Sequence, residues 1–259
     1  MTILHALLLG ILEGITEFLP ISSTGHLIIA SHLLNIPETA TLKSFQIAVQ
    51  LGAIMAVFVT FYKKFFHIHN LLKLFVAFLP TGIIGFALYS LIKTYLLGNW
   101  IIVCAALFAG GVIMLLAEHW YTEKHESGPV ELRLEDISYK QALLLGLFQS
   151  IAMIPGVSRS GATIIGGLYM GISRPLLAEF TFLLAVPTMT VATAYDILKN
   201  YKSFSIVDTG NILIGFSTAF VTALLVVRFL LAYIKRHDFK VFAYYRMILA
   251  IVVAAVFLL

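Results

Sequence analysis

Hydrophobic residues run through most of the 259-residue chain in long segments that short polar stretches separate. An apolar helix of about 20 residues is long enough to cross the hydrocarbon core of a bilayer. Six segments meet this requirement: 45–62, 71–92, 100–117, 175–198, 211–234 and 241–259. The pattern therefore predicts an all-α polytopic membrane protein with six transmembrane helices.

Two further apolar regions, 3–34 and 140–170, are each interrupted by a turn-forming stretch rich in hydroxyl groups. The interruptions cover 19–25 and 154–161, and neither half of either region is long enough to cross a bilayer comfortably. Non-helical backbone at membrane depth is tolerated only where protein or a wet cavity satisfies its polar groups. We therefore predict two re-entrant helix-loop-helix elements.

The predicted elements occur twice in the same order, because each half contains one re-entrant element followed by three spans. An odd number of spans inverts the second half relative to the first. An offset of 136 residues aligns identical or similar residues in the two interrupted regions: Gly10 with Gly146, Glu13 with Gln149, Ser22 with Ser158, Thr24 with Ser160, and Gly25 with Gly161. The sequence thus predicts an inverted-topology repeat whose two loops meet near the membrane midplane.

The predicted organisation is a single membrane domain over 1–259. Repeat 1 covers about 1–117 and repeat 2 about 140–259, and a cytoplasmic connector over about 118–139 joins them. The connector is the only polar stretch of the chain, and its charges are typical of a solvated surface.

Composition narrows the class of protein further. The chain is 60% hydrophobic and 12% charged, with a mean hydropathy of +0.98, which excludes an ordinary soluble globular protein. A net charge of +4 without a basic run gives no reason to expect a nucleic-acid partner. The single cysteine, Cys104, excludes an intramolecular disulfide.

The distribution of Lys and Arg predicts the orientation of the protein. If the first re-entrant element opens outward, one face carries ten of these residues and the other carries only Lys43, Lys93, Lys199 and Lys202. The positive-inside rule makes the face with ten cytoplasmic. Arg228 and Arg246 lie near span ends, where we expect their side chains to reach the interface.

Two carboxylates, Glu13 and Glu17, lie within the first interrupted region. Residues four apart on a helix project from one face, so the two charges would repel each other. Ionisable side chains at membrane depth cost roughly 2.5–3.5 kcal/mol each, so the pair needs a cation, a shared proton or a hydrogen-bonding partner. A solvated pair at the interface is the alternative to the polar site that we predict.

Hydroxyl groups and an imidazole follow this acidic pair directly: Ser22, Ser23, Thr24, Gly25 and His26. A helix beginning here would point free backbone amides and its positive dipole end into the loop, which suits a phosphate group. The segment also offers a nucleophile and a proton carrier. Taken alone, hydroxyls at a helix start are more typical of ordinary N-caps.

The second interruption repeats the hydroxyl-rich helix start with Ser158, Ser160, Gly161 and Thr163. It adds Arg159, which has no route to the interface and therefore needs an anion. A guanidinium matches phosphate oxygens in a bidentate manner, whereas an ion pair with Glu17 is the simpler alternative. We favour phosphate because helix starts and hydroxyls surround the arginine.

Two further features, one polar and one of small residues, have structural interpretations. Glu179 is predicted to pair with the nearby Arg174. Ala48, Gly52 and Ala56 are spaced by four, which favours close helix packing either within the fold or across a homodimer.

The segments Glu13–His26 (EGITEFLPISSTGH) and Pro155–Thr163 (PGVSRSGAT) resemble the two signature motifs of the undecaprenyl-diphosphate phosphatase family, also called the bacitracin-resistance protein family. The resemblance extends along essentially the whole chain. It implies an enzyme of the bacterial cytoplasmic membrane that removes the terminal phosphate from undecaprenyl diphosphate. The product would supply the lipid carrier of peptidoglycan synthesis, and bacitracin resistance would follow from depletion of the drug's lipid target.

The resemblance also implies roles for individual residues. Its acidic pair, its serines, its histidine and its arginine motif fall on Glu13, Glu17, Ser22, Ser23, His26, Ser158, Arg159, Ser160 and Thr163, and Thr24 and Gly25 join the substrate-binding loop. The family depends on Mg²⁺ or Ca²⁺, and two carboxylates are suitable ligands for either ion. We therefore expect Glu13 and Glu17 to hold a divalent cation.

Three chemical routes remain open at this point. Ser23 would attack the terminal phosphorus while Glu17 or His26 removes its proton, and Arg159 would neutralise the phosphoryl oxygens. Alternatively, the carboxylates and the cation would activate a water molecule, or His26 would be the nucleophile. A different class of function, a lipid-phosphate or anion transporter, would use the same inverted repeat.

Overall fold

The computed structural model describes residues 1–65, 67–97, 99–124, 133–200 and 206–258. These residues form ten α-helices and no strands: α1 (Ile3–Thr16), α2 (Ser23–Leu33), α3 (Ala40–Phe65), α4 (Ile68–Leu91), α5 (Trp100–Lys124), α6 (Tyr139–Ser150), α7 (Arg159–Tyr169), α8 (Arg174–Asn200), α9 (Ile206–Ile234) and α10 (Lys240–Leu258). A π-helical turn, Ile92–Leu96, extends α4. Residues 125–132 of the predicted connector and the predicted outer cation Lys202 lie outside the described residues.

Six of these helices are long and apolar enough to cross a membrane: α3, α4 with its π turn, α5, α8, α9 and α10. They contain the six predicted spans as far as these are described, which leaves out residue 259, so the prediction of an all-α polytopic membrane protein is confirmed. The remaining helices, α1, α2, α6 and α7, have 14, 11, 12 and 11 residues and are too short to span. The path of these short helices through the bilayer stays a prediction.

The two halves of the chain make equivalent helix contacts with each other. Helix α1 packs against α9, whereas its counterpart α6 packs against α4, and the pairs α3–α8 and α5–α10 join matching helices. Glycines permit two of these approaches, since a Cβ atom on Gly10 would lie 2.6 Å from the Gly215 carbonyl oxygen. A Cβ atom on Gly146 would lie 2.0 Å from the Ala77 oxygen. Helices α1 and α6 are thereby each held by the opposite half.

The row of small residues on α3 is used within the chain. Ala48 and Ala56 are buried, and a Cβ atom on Gly52 would lie 2.4 Å from the Phe216 carbonyl oxygen of α9. This arrangement matches the first of the two predicted alternatives, close packing within the fold.

The predicted pair of Arg174 with Glu179 is wrong. Residues five apart on a helix project in different directions, and the two side chains find partners on other helices. Arg174 donates hydrogen bonds to the buried carboxylate of Glu118 on α5, and Lys64 of α3 pairs with Glu179. Glu118, at the start of the predicted solvated connector, is therefore a buried residue of α5.

Candidate active site

Each interruption ends at a serine that caps the following helix. Ser22 has a φ of 69° and its Oγ accepts a hydrogen bond of 3.3 Å from the Gly25 amide. Ser158 has a φ of 73° and its Oγ accepts one of 3.1 Å from the Gly161 amide. A left-handed conformation is costly for a non-glycine residue and is concentrated at functional sites. Both loops therefore present the first-turn amides of a helix, α2 in one case and α7 in the other.

The two loops contact each other in the interior of the protein. Ser160 Oγ donates a hydrogen bond of 3.3 Å to the Leu19 carbonyl oxygen of the first loop. A Cβ atom on Gly25 would lie 3.6 Å from the Gly156 Cα atom of the second loop. Segments more than 130 residues apart in the chain thus form one centre.

Glu17 lies at this centre and joins the two loops. Ser23 Oγ donates a hydrogen bond to Glu17 Oε2, and Arg159 Nη2 donates one of 2.8 Å to Glu17 Oε1. Arg159 Nη1 donates to the Thr181 carbonyl oxygen at 2.9 Å, which fixes the guanidinium on α8. All three side chains are largely buried. A hydroxyl, a carboxylate and a guanidinium are therefore held in one hydrogen-bonded row.

This row lines a cavity of about 290 Å³. Of the predicted site residues, the lining contains Glu17, Ser22, Ser23, Thr24, Ser158 and Arg159. It also contains polar residues that the sequence analysis did not place at the site, among them Gln50, Thr81, Gln149 and Thr188. Gln149 was noted only as the repeat counterpart of Glu13.

The additional polar residues hold the lining together. Gln50 Nε2 donates a hydrogen bond of 2.7 Å to Thr24 Oγ1, and Gln149 Nε2 donates one of 3.0 Å to Thr81 Oγ1. The sequence did contain a signal for these residues, because the amides of Gln50 and Gln149 stand out within apolar segments. The identity of their partners could not be predicted, since each bond joins two different helices.

One side of the cavity wall is apolar. Helix α4 contributes Phe78, Gly82 and Phe86, and α8 contributes Val191 and Ala192. The Phe86 residue is 70% exposed and Val191 is also exposed, so this wall continues to the outer surface of the helix bundle. The cavity therefore joins a polar end to an apolar side facing outward.

His26 is near the centre but is bonded to other groups. Its Nδ1–H donates to the Ser22 carbonyl oxygen at 2.8 Å, and its Nε2 lies 2.8 Å from the Tyr245 hydroxyl. Because the carbonyl can only accept, a neutral His26 accepts the Tyr245 hydrogen bond at Nε2. Neither ring nitrogen is bonded to Ser23 or Glu17, and His26 does not line the cavity.

Four other predicted site residues also lie outside the cavity lining: Glu13, Gly25, Ser160 and Thr163. Thr163 Oγ1 donates to the Arg159 carbonyl oxygen at 3.0 Å, so it supports the first turn of α7. Ser160 and Gly25 join the two loops as described above. Gly25, Ser160 and Thr163 are therefore placed to shape the site and do not line it.

Glu13 is 0% exposed, and neither of its carboxylate oxygens has a hydrogen-bond partner among the described residues. It lies within electrostatic range of Glu17, Ser23 and Arg159. A buried carboxylate without a partner is costly unless a compensating group is present. Its two free oxygens beside the Glu17 carboxylate form an all-oxygen donor set, which fits a hard divalent cation. The part of the chain that is described contains no cluster of three potential His, Cys, Asp or Glu ligands, so phosphate or water would complete the coordination.

The predicted interfacial position of Arg246 is wrong. This residue of α10 is 0% exposed, and its guanidinium donates hydrogen bonds of 2.9–3.3 Å to four carbonyl oxygens: those of Pro20, Ala106, Gly156 and Val157. Three of these carbonyls belong to the two loops, whose irregular backbone cannot satisfy them internally. The sequence gives a weak signal for this role, because Arg246 lies six residues inside an apolar helix.

Comparison with known proteins agrees with this arrangement. The family model described as "Bacitracin resistance protein BacA" matches residues 6–252, which is nearly the full chain. The chain belongs to the bacitracin resistance protein BacA family. The resemblance that the two motifs indicate is thereby confirmed, and both loops and all six spans fall within the matched region apart from the last residues of α10.

Relatives in several bacteria match along nearly their whole length. A protein of Aquifex aeolicus is 48% identical over 259 residues, which is 100% of both chains. A protein of a Sulfurihydrogenibium species is 48% identical over 251 residues, or 97% of this chain and 98% of the relative. A Campylobacter jejuni protein is 48% identical over 254 residues, which is 96% of this chain and 92% of the relative. Each of these relatives is named undecaprenyl-diphosphatase.

Proposed function

We propose that the protein is an integral membrane phosphatase that hydrolyses undecaprenyl diphosphate to undecaprenyl phosphate and inorganic phosphate. The observation that carries this proposal is the row Ser23–Glu17–Arg159, which places a nucleophile, a base and an anion-binding group on one cavity. The whole-length relatives named undecaprenyl-diphosphatase support the choice of substrate. Recycling of the lipid carrier for cell-wall synthesis and resistance to bacitracin follow from this activity.

The proposed first step is attack by Ser23 Oγ on the terminal phosphorus. The Oγ–P bond forms, the bond from phosphorus to the bridging oxygen breaks, and undecaprenyl phosphate leaves. The Ser23 proton passes to Glu17 Oε2, which already accepts its hydrogen bond. The Arg159 guanidinium, held by Glu17 and the Thr181 carbonyl, neutralises charge on the phosphoryl oxygens. Water then hydrolyses the phosphoserine.

Among the predicted bases for Ser23, the geometry supports Glu17. His26 is bonded through both ring nitrogens to Ser22 and Tyr245, so a role in proton transfer would require it to turn. We propose that His26 instead positions the first loop through the Ser22 carbonyl. Water activation by the carboxylates is the second route, and the Ser23 variant described in the Discussion separates the two.

We propose that Glu13 and Glu17 hold a divalent cation, Mg²⁺ or Ca²⁺. The two unpartnered oxygens of the buried Glu13 support this assignment. When bound, such an ion supplies charge neutralisation at the diphosphate oxygens. Chelation should abolish phosphate release, and restored activity on adding back one ion would identify it.

The apolar wall between α4 and α8 suits the prenyl tail of the substrate. Phe78, Gly82 and Phe86 line this wall, and exposed side chains such as Phe86 continue it to the surface. A tail lying here would stay in contact with membrane lipid while the headgroup reaches Ser23. This placement supports a lipid substrate over a water-soluble phosphate ester.

We propose that the protein resides in the bacterial inner membrane with its cavity open to the outside. The described outer cations cluster at one end of the bundle, since Lys43 Nζ donates to the Lys93 carbonyl and Lys199 Nζ lies 4.4 Å from the Tyr89 ring centroid. Lys93 and Tyr89 line the cavity at that end. In a Cys104→Ser background, Lys199→Cys should react with an impermeant thiol reagent in intact cells. Lys140→Cys should react only after permeabilisation.

A homodimer stays a prediction. The small-residue row of α3 is occupied by α9 of the same chain, so a second copy would have to use another surface. Light scattering of the purified protein in detergent measures the oligomeric state directly.

A lipid-phosphate transporter is the second candidate, because loops between short helices also form transporter sites. The Ser23–Glu17 hydrogen bond favours the phosphatase, since a transporter needs anion ligands but no activated hydroxyl. The deciding experiment measures phosphate released from undecaprenyl diphosphate by purified protein, beside Glu17→Gln and the control Glu179→Gln. Release by the wild type and the control, with loss in Glu17→Gln, is expected. Absence of release from the wild type would contradict the proposed function.

A further inference from the structure

A second polar cluster lies on the wall of the same cavity, away from the loops. Lys93 and Tyr89 line the cavity, and Asp196 of α8 lies behind them, 1% exposed. Lys93 Nζ forms an ion pair with Asp196 Oδ1 and donates a hydrogen bond of 3.0 Å to Ser44 Oγ of α3. The Tyr89 hydroxyl donates to the same Asp196 oxygen. The proposed catalytic chemistry uses none of these groups.

The local backbone places Lys93 in this position. It lies in the π-helical turn Ile92–Leu96, which begins where α4 ends. A π turn contains an extra residue compared with an α-helical turn, so it changes the direction of the side chains it carries, and such turns are frequent at functional sites. Here the turn brings the Lys93 ammonium between α3 and α8 at the outer end of the cavity.

The cluster is separate from the reaction centre but close to it. Gln50 of α3 contacts Thr24 in the first loop, whereas Ser44 of the same helix contacts Lys93. Six residues of helix span about 9 Å. Lys93 therefore lies roughly that distance beyond the loop, measured along α3, and the cavity lining connects the two positions.

Among the described lining residues, Lys93 carries the one charge that no other lining residue balances. The described lining residues include three charged side chains, and two of them, Glu17 and Arg159, pair with each other. The third is Lys93, whose partner Asp196 does not line the cavity. An ammonium has three N–H donors, and two have partners in the described structure. With its side chain only 13% exposed, Lys93 can offer its remaining donor to an anion in a poorly solvated place.

We propose that Lys93 forms a second anion-binding site at the outer end of the cavity, which takes a phosphate or phosphate-ester group. The inference rests on the proposed function, because that function brings phosphate groups into this cavity. The group has two sources, the headgroup of the lipid approaching Ser23 and the inorganic phosphate leaving it. Both offer the same oxygens to the Lys93 ammonium.

The simpler alternative is that Lys93 only neutralises Asp196 and joins α4 to α8. The double variant Lys93→Gln with Asp196→Asn separates the two roles. It removes both charges and keeps two side chains that can hydrogen-bond to each other. A structural role is restored in this variant, whereas an anion site is not, since no positive charge remains.

The experiment measures the KM for undecaprenyl diphosphate and the inhibition constant for inorganic phosphate. Lys93→Gln and the double variant should each raise at least one constant about tenfold, the effect of losing a charged hydrogen bond, and Lys93→Arg should retain most of the affinity. The control is Lys199→Gln, which removes a charge near Tyr89 from outside the lining. A raised KM identifies the headgroup as the ligand, and a raised inhibition constant identifies free phosphate.

Two outcomes would overturn the inference: wild-type constants in Lys93→Gln, or wild-type constants in the double variant. Calorimetric titration of inorganic phosphate into wild-type protein and Lys93→Gln provides a readout independent of turnover. If the wild type releases no phosphate, the proposed function fails, and the titration still tests Lys93. If the wild type is active, and the variants keep the wild-type KM and bind phosphate as the wild type does, only the Lys93 site fails.

Discussion

Glu17 accepts a hydrogen bond of 2.8 Å from Arg159, although the two residues lie 142 positions apart in the chain. Glu17 lies in the first loop, directly after α1, and Arg159 is the first residue of α7, directly after the second loop. Each loop ends at a left-handed serine that caps the short helix after it. Since Glu17 also accepts the Ser23 hydrogen bond, one carboxylate connects the proposed nucleophile, Ser23, to the guanidinium of Arg159. The contact between the loops is therefore part of the proposed chemistry as well as of the fold.

Replacing Ser23 with Ala should remove the proposed nucleophile and little else. We expect a loss of at least about 2 kcal/mol of transition-state stabilisation, roughly thirtyfold in rate. The control is Ser31→Ala on the same helix, whose hydroxyl accepts a hydrogen bond from Gln46 away from the cavity. Phosphate release in detergent measures both. Near-normal turnover of Ser23→Ala would eliminate the serine route and leave the water route.

Replacing Glu13 with Gln should weaken the binding of the divalent cation without unfolding the protein. The change removes a buried charge that has no partner among the described residues, so thermal stability should not fall. We expect the cation concentration for half-maximal activity to rise about tenfold or more. Calorimetric titration with Mg²⁺ and Ca²⁺ gives an independent measure, with Glu179→Gln as the control. Unchanged cation dependence would remove Glu13 from the proposed ligands.

Replacing Arg246 with Lys should damage both loops at once. A single ammonium cannot reach the four carbonyl oxygens that the guanidinium serves, and a buried hydrogen bond to a charged group contributes about 1.5–3 kcal/mol. We expect kcat to fall by roughly one to two orders of magnitude, together with a lower unfolding temperature. Arg228→Lys, at an exposed position of α9, should resemble the wild type. Normal kcat in Arg246→Lys would show that the loops hold their shape without it.

Replacing Gly146 with Ala should force α6 away from α4. The new Cβ atom would lie 2.0 Å from the Ala77 carbonyl oxygen, which is backbone and cannot turn aside. Overpacking of this kind costs about 1–3 kcal/mol. The matched control is Gly210→Ala in α9, where a Cβ atom meets nothing within 4 Å and helix propensity predicts a gain of up to about 1 kcal/mol. Thermal unfolding in detergent measures both, and equal unfolding temperatures would contradict the packing argument.

The sequence by itself determined the features that depend on local pattern. Runs of about 20 apolar residues define the six spans, and Pro, Gly and Ser clusters define the two interruptions. The residue types at Glu17 and Arg159 were sufficient to predict a polar site, because ionisable groups are rare at membrane depth. The two motifs, Glu13–His26 and Pro155–Thr163, were sufficient to predict the family.

Only the tertiary structure decided which of these groups meet. His26 is bonded to Tyr245, Arg246 reaches both loops, and Lys93 pairs with Asp196, in each case across at least 89 positions of the chain. Helical periodicity specifies the face on which a side chain lies but not the helix that the face will contact. That choice depends on close approaches such as the one at Gly146, where packing of the whole bundle brings distant backbone segments together.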